Sequence, residues 1–262
     1  MSSKTVDKAL DVLEMFSKER PSWRLRELAR ELDMSHSIVY RILTSFQERG
    51  YVHKCPQTDK YELGIKLLEL SSVVEEGLLL TDVLKPVMER LAEEVGESIV
   101  FTILDNEEGV YVSIVESNKK VRFAESVGKR LPLYVGASHK TILAHLPKEI
   151  QRKIVTNGRA TRQFPSLFTQ GSLLKRLEDI QQQGWAYSAG ETFDDVAAIS
   201  VPIFDYRKTI LGSLSVAGPR YRFSEEQATE KLPALKRHQK EVHGFLSKTS
   251  LPVRRGWVET MM

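Results

Sequence analysis

Ser37, Tyr40, Arg41 and Thr44 recur at i, i+3, i+4 and i+7, the spacing that puts side chains on one side of an α-helix. Their tips are three hydroxyls and one guanidinium, with no carboxylate among them. Such a face suits a DNA major groove, whose walls are donors, acceptors and phosphates. The other side of the same spiral is Ile38, Val39, Ile42, Leu43 and Phe46, an apolar stripe that has to be buried. A merely solvated face usually mixes Glu with Lys, and this one does not.

The surrounding elements must hold that helix against DNA. Leu25 to Leu32 reads as a short helix, Asp33-Met34-Ser35 as a break, and residues 35–49 as a second helix. That order is a helix-turn-helix. Ser35 and His36 lie at the start of the second helix and Arg26 on the first, all candidates for DNA contact. Gly50 is placed to stop the helix in the left-handed conformation. Tyr51 to Lys54 and Tyr61 to Leu63 alternate like two short strands around Pro56-Gln57-Thr58-Asp59, which reads as a wing. Lys54, Lys60 and His53 there are candidates for the phosphate backbone. Val6 to Phe16 reads as a helix packed under the recognition helix.

Composition bounds the rest. The chain has 262 residues, 41% hydrophobic and 28% charged, with a formal net charge of +3. This suits two globular domains. The positive excess falls after residue 231 rather than in the helix-turn-helix, so DNA affinity depends on local placement of Arg24, Arg26, Arg41, Arg49 and Lys54. No apolar run approaches the ~20 residues needed to span a bilayer, and Met1 to Asp7 has no apolar signal core. The expectation is a cytoplasmic protein with no membrane partner. The single cysteine, Cys55 in the wing, excludes an internal disulfide and a cysteine-based zinc site. It reads as an incidental thiol or, alternatively, a redox-sensitive one. No His pair falls at helical i, i+4 spacing, and no nucleophile elbow, phosphate loop or His-Glu-x-x-His is present. No metal, cofactor or catalysis is expected. Ser138 and His139 are adjacent, which does not make a nucleophile–base pair without a special geometry.

From Gly64 to Leu80 the pattern is a second long helix, apolar enough to pack on another copy of itself. Thr81-Asp82 is read as the cap of a helix from Leu84 to Val95 that stops at Gly96. Strand patterns follow: Ser98 to Leu104 and Val110 to Glu116 around a turn at Asp105 to Gly109, then Trp185 to Ala189, Ala197 to Phe204 and Leu211 to Ala217. Helices are read at Ser138 to His145, Glu149 to Val155 and Leu173 to Gln183. A last one starts at the capping box Ser224-Glu225-Glu226-Gln227 and extends to Leu246. Lys248 to Met262 reads as a loose basic tail. The whole is α+β: a winged helix-turn-helix at 1–64, a linker helix at 65–81, an antiparallel sheet domain with flanking helices at 82–247, and the tail at 248–262.

Two strands of the sheet domain divide their faces unevenly. Ile199, Val201 and Ile203 are large while Ala198, Ser200 and Pro202 are small; Leu214 and Val216 are large while Ser213, Ser215 and Ala217 are small. A small-residue face leaves volume for a ligand or for a closely packed helix. Gly136-Ala137-Ser138 opens a helix, whose first N–H groups favour an anion. Together these point to a site for a small organic acid.

Three segments carry a resemblance: the winged helix-turn-helix, Leu131-Pro132-Leu133-Tyr134-Val135-Gly136-Ala137-Ser138-His139-Lys140-Thr141-Ile142-Leu143-Ala144, and Gly190-Glu191 followed by Ala197 to Ile203 and Leu214 to Pro219. In order and spacing the chain resembles the IclR family of bacterial transcriptional regulators over about residues 4–247. The resemblance implies a GAF-like effector domain, homodimers or dimers of dimers, and double-stranded operator DNA as partner. The family holds both repressors and activators. It also implies effector contacts at the backbone of Ala137 and Ser138, at the apolar Phe123 and Leu131, and at Ser188, Glu191, Ala198, Ser215 and Ala217. Ala198 and Ala217 stand where the family has polar side chains, and His139 where it usually has Gly, which argues against glyoxylate- or pyruvate-sized ligands. His139 is either a ligand contact or, the reading we favour, a packed side chain. The function expected is a regulator, controlling a catabolic operon in response to a small carboxylate; the alternative is an architectural DNA-binding protein without an effector.

Overall fold

The structure is a computed structural model and describes residues 3–76, 79–123, 125–156 and 170–248. The chain divides into two compact units, Met1–Gly77 and Leu78–Met262.

In the first unit, α1 (Lys4–Glu14), α2 (Leu25–Glu31) and α3 (His36–Glu48) surround one small core. Val12, Leu28, Ala29, Val39, Ile42 and Leu43 meet there with Trp23, Val52 and Tyr61. Each large apolar side chain removed from water contributes about 1.5–3 kcal/mol, so α3 is fixed by its apolar stripe rather than by its polar face. Asp33 takes φ 49 in the turn between α2 and α3, and the Met34 N–H donates to Ala29 O at 2.9 Å. Gly50 ends α3 at φ +78. The wing is β2 (Val52–Lys54) antiparallel to β3 (Tyr61–Leu63). A third strand, β1 (Ser22–Trp23), pairs with β3; two residues behind Pro21 gave no alternation to read. Val6 and Leu10, expected under α3, are exposed instead, and α1 enters the core through Val12 and Ala9. α4 (Lys66–Glu76) follows the wing, with Ile65, Leu68, Leu70 and Val73 exposed.

The second unit begins with α5 (Leu79–Val95), which runs through Thr81 and Asp82 rather than starting at them. Pro86 is inside this helix, where a start at Leu84 would have put it in the tolerant first turn. Six antiparallel strands follow: β4 (Ser98–Asp105), β5 (Glu108–Val115), β6 (Arg130–Pro132), β7 (Ala186–Ala189), β8 (Val196–Phe204) and β9 (Ile210–Pro219), in spatial order β6-β5-β4-β9-β8-β7. The first hairpin is tighter than its sequence suggests. Asp105 pairs with Glu108, because Asn106 accepts a left-handed φ of 56.

Alternation assigns the two faces of the sheet. Ile99, Phe101, Ile199, Val201, Ile203, Leu214 and Val216 pack against α5 and α10 (Leu232–Lys248). The other face carries α6 (Ala137–Ala144), which packs on β8 and β9 and is itself covered by α8 (Gln170–Gln183). α7 (Lys148–Thr156) lies against α8. The capping box at Ser224 forms, but it starts the short α9 (Glu225–Glu230) rather than one helix to Leu246. Pro233 accounts for the restart, since proline is favoured in a first turn. The tail from residue 249 onward lies outside the described residues.

Gln151 on α7 closes the far end of α6. It is 1% exposed, and its amide donates to Ala144 O at 3.0 Å and Leu146 O at 2.8 Å. The first is a carbonyl that a helix end leaves unpaired, and the second belongs to the turn that follows. Gln151→Leu is expected to lower stability by about 2–3 kcal/mol, read from urea unfolding. A loss below about 0.5 kcal/mol would show that α6 ends without this cap.

Candidate functional site

The polar side of α3 is open to solvent. Ser35, His36, Ser37, Tyr40 and Arg41 are exposed, Thr44 is half-buried, and Val39, Ile42 and Leu43 are buried beneath them. Tyr40 is 56% exposed, high for an aromatic on a packed helix. Arg26 on α2 is also exposed. In the wing, Lys54 donates to Asp59 at 2.6 Å and stands 5.5 Å from the Tyr61 ring centre. The Asp59 hydrogen bond pushes the Lys54 amine above the ordinary lysine value. Lys60 is half-buried. His53 lies 3.3 Å from Glu62 across the strand pair. Cys55 is half-buried, its thiol 3.1 Å from Gln57 Oε1. Hydrogen bonding with Thr58 holds that thiol below its usual value.

In the second unit a small pocket opens between the start of α6 and the small-residue sheet face. Its walls include Phe123, Ala137, Ser138, Ser188, Ala198, Ser215 and Ala217, seven of the residues expected there. Leu131 lies behind the wall, packed with Phe123 and Tyr111. His139 and Glu191 do not line the pocket. Gly136, read as part of the helix start, lines it too, and Tyr111, Val100, Thr192 and Val196 line it and were not foreseen. The enclosed volume is about 20 Å³, room for roughly one water molecule. Phe123 closes one side, with Ser98 Oγ donating to its carbonyl at 3.0 Å. Nearby, the 2% exposed Glu97 accepts from Lys119 and Arg222, both at 2.9 Å. Burial pushes the Glu97 carboxyl up, but the bonds from Arg222 and Lys119 outweigh it and leave it below the ordinary carboxylate value.

The start of α6 is already capped from within. Gly136 takes φ +80, with a would-be Cβ 2.6 Å from Thr192 Cγ2. Its N–H donates to Glu191 Oε2 at 3.0 Å, and the Ala137 N–H donates to Ser188 Oγ at 2.8 Å. Glu191 thus supplies the anion that the helix start favours. Its other oxygen accepts from Lys140 Nζ at 2.7 Å, with Arg176 Nη1 at 3.8 Å. Burial lowers the Lys140 amine from its ordinary value, while the Glu191 carboxylate works to keep it charged.

Ser138 and His139, though adjacent, do bond: Ser138 Oγ lies 2.9 Å from His139 Nδ1. His139 Nε2 lies 3.3 Å from Gly109 O, a carbonyl that can only accept. The partners therefore assign the proton to Nε2 and make Ser138 the donor to Nδ1. Burial pushes the nearby Tyr111 phenol well above the ordinary tyrosine value. Burial drops His139 to about 4. An imidazole that weakly basic is a poor general base at neutral pH. His139 packs on the Tyr111 ring with centres 5.5 Å apart, and Gly109 is required beside it because a Cβ would lie 2.3 Å from His139 Cδ2.

Among the described residues no cluster of three His, Cys, Asp or Glu is placed to hold a metal. No described helix is long and apolar enough to cross a membrane.

Comparison with known proteins covers most of the chain. Residues 74–243 match the family described as bacterial transcriptional regulator IclR C-terminal, and residues 5–56 match the IclR helix-turn-helix domain. The HTH-type transcriptional regulator KipR of Bacillus subtilis (strain 168) is 32% identical, over 86% of this chain and 90% of that protein. The crystal structure of Thermotoga maritima IclR superposes with a TM-score of 0.74 at 27% identity, covering 93% of this chain and 98% of that one. An IclR homolog from Microbacterium hydrocarbonoxydans, crystallised with 4-hydroxybenzoate, superposes with a TM-score of 0.80 at 22% identity, covering 94% and 100%. That last likeness concerns the fold alone.

Proposed function

We propose, from the premise that this chain belongs to the IclR family of DNA-binding bacterial transcriptional regulators, that it reads an operator through α3 and answers to a small carboxylate held at the start of α6. The observation that carries the reading is the partition of α3: Ser37, Tyr40 and Arg41 outward over a buried Val39, Ile42 and Leu43. Ser35 and His36 extend the reading face, Thr44 borders it, and Arg26, Lys54 and Lys60 serve the phosphates. The exposed Ile65, Leu68, Leu70 and Val73 beside and along α4 support a homodimer or dimer of dimers. Paired recognition helices would then span about one helical turn of DNA. The helix-turn-helix is assigned to 1–64, the linker to 65–81, whose last residues already belong to α5, and the effector domain to 82–247. A cytoplasmic regulator of a catabolic operon, with no catalysis of its own, fits these features.

The test is retardation of DNA taken from upstream of the protein's own coding sequence. Arg41→Ala is expected to weaken binding about fivefold or more, in line with about 1–3 kcal/mol for a base contact, without changing the melting temperature. An unchanged affinity would remove α3 from the interface.

For the effector, the incoming carboxylate takes the Ala137 N–H from the neutral Ser188 hydroxyl, while Glu191 stays fixed by Lys140. Phe123 supplies the apolar wall, with Leu131 packed behind it, and Ser138, Ser215, Ala198 and Ala217 the floor. A second reading, a DNA-binding protein with no effector, is favoured by the 20 Å³ pocket and the internally capped helix. Saturable stabilisation by a carboxylate separates the two.

A further inference from the structure

Among the described residues of the second unit, three hydroxyls have no hydrogen-bond partner although they are fully buried: Thr102 Oγ1, Thr141 Oγ1 and Ser213 Oγ. Buried hydroxyls are ordinarily paired, and each exception calls for an explanation. Their positions supply one. Thr102 on β4 sits directly opposite Ser213 on β9 and, on its other side, opposite Tyr111 on β5. Tyr111 lines the pocket. Ser213 precedes the pocket residue Ser215 by two positions, so both side chains leave the same face of the sheet. Thr141 lies on α6 three residues after Ser138 and four before His145, so the three share one helical side. Ser138 faces the pocket, and His145 meets Phe204 of β8 edge to face, ring centres 5.2 Å apart. Thr141 is therefore held on the sheet-facing side of α6, one turn further in than the pocket.

The neighbouring row is polar as well but already satisfied: Ser215 Oγ donates to Ser200 Oγ at 2.9 Å, and Ser200 Oγ donates to Leu214 O. The unpaired row comes one step deeper. Thr102, Thr141 and Ser213 carry hydroxyls and no charge, which suits another hydroxyl rather than an ion.

Resting on the reading of the pocket as a carboxylate site, we infer that the pocket continues past Ser215 into an inner subsite of Thr102, Thr141 and Ser213 that receives the hydroxyl groups of a polyhydroxylated carboxylate. Its carboxylate end occupies the α6 start and its hydroxylated chain runs between α6 and the sheet. The helix and sheet separate to admit it. The three hydroxyls then acquire the partners they lack in the closed state, and that gain selects hydroxylated acids over apolar ones, because an apolar chain leaves them unpaired.

The test uses the full-length protein and two probes of equal chain length, gluconate and hexanoate, with affinity read by calorimetry and stability by thermal unfolding. Gluconate is expected to bind at least tenfold more tightly than hexanoate. In a Thr141→Val/Ser213→Ala variant that preference is expected to vanish while hexanoate affinity stays within about twofold. The ligand-free variant is expected to melt about 2 °C or more above the parent, since hydroxyls unpaired in the closed state destabilise it. Equal affinities for the two probes in the parent protein overturn the subsite and leave the carboxylate pocket standing. A variant that melts lower and keeps the preference shows a permanent internal water between the hydroxyls, which also overturns it. Failure of both probes to bind overturns the carboxylate reading itself.

Discussion

Glu191→Ala is expected to destabilise the second unit by about 3–5 kcal/mol, the range for removing one partner of a buried ion pair. The side chains of Lys140 and Glu191 are 0% and 4% exposed and lie 2.7 Å apart. Alanine leaves the Lys140 ammonium without its carboxylate, beside Arg176, and takes the acceptor from the Gly136 N–H. The Lys140→Met/Glu191→Leu double variant is expected to recover most of the loss, because it removes both buried charges at once. Urea unfolding of the three proteins measures this. A loss below about 1 kcal/mol for Glu191→Ala would mean that the pair is hydrated and does not hold the site together. The pair also bears on ligand binding: it ties the connection between β7 and β8 to α6, and so sets where Ser188 meets the Ala137 N–H. Glu191→Ala is expected to weaken carboxylate binding even where the protein remains folded.

The different parts of the molecule were legible to different degrees, for physical reasons. α3 and the wing read directly from the chain because their signals are local. A 3.6-residue apolar stripe, a helix-ending Gly50 and a period-2 alternation each lie within a dozen residues. The small-residue face of β8 and β9 was legible on the same ground, and seven expected residues do line the pocket.

What escaped the sequence depended on distant pairings. Tyr111 reaches the pocket because the tight turn that pairs Asp105 with Glu108 carries the register on to Thr102 opposite Tyr111, and the sequence reading placed that turn one residue longer, at Asp105 to Gly109. Thr192 arrives from the irregular connection after Gly190, which has no periodicity. Glu191 was expected to touch ligand, yet it serves Gly136 and Lys140 from more than fifty residues away in the chain. The bond between Ser138 and His139 needed the actual rotamers. The proline restart at α10 was visible in principle, since Leu232-Pro233 carries its own signal, but the capping box at Ser224 masked it by marking a nearby start.

Acidification from pH 6.5 to 4 is expected to cost on the order of 3 kcal/mol through His139 alone, from its displacement from 6.5 to about 4 at 1.36 kcal/mol per unit. The sign follows from burial. The folded protein holds the ring neutral down to about pH 4, whereas the unfolded chain protonates it near 6.5. Between those values the unfolded state binds more protons, so stability falls as pH falls, and the contribution is fully present only above 6.5. His145 and His243 are shifted the same way by burial. His243 is also committed as an acceptor, taking the Phe204 N–H on Nε2 at 3.1 Å, a role a protonated ring cannot fill. Carboxylates held low, such as Glu94 and Glu97, begin to cost stability only below their ordinary value of 4.5, so the window above it belongs to the histidines. Chemical denaturation at a series of pH values is expected to show a steep decline for the parent protein and a shallower one for His139→Gln. Superimposable profiles would mean that His139 is not a neutral, buried ring. Because Ser138 donates to Nδ1 of that ring and lines the pocket, protonation would also turn the Ser138 hydroxyl around. Ligand affinity is therefore expected to change over the same pH range in which stability declines.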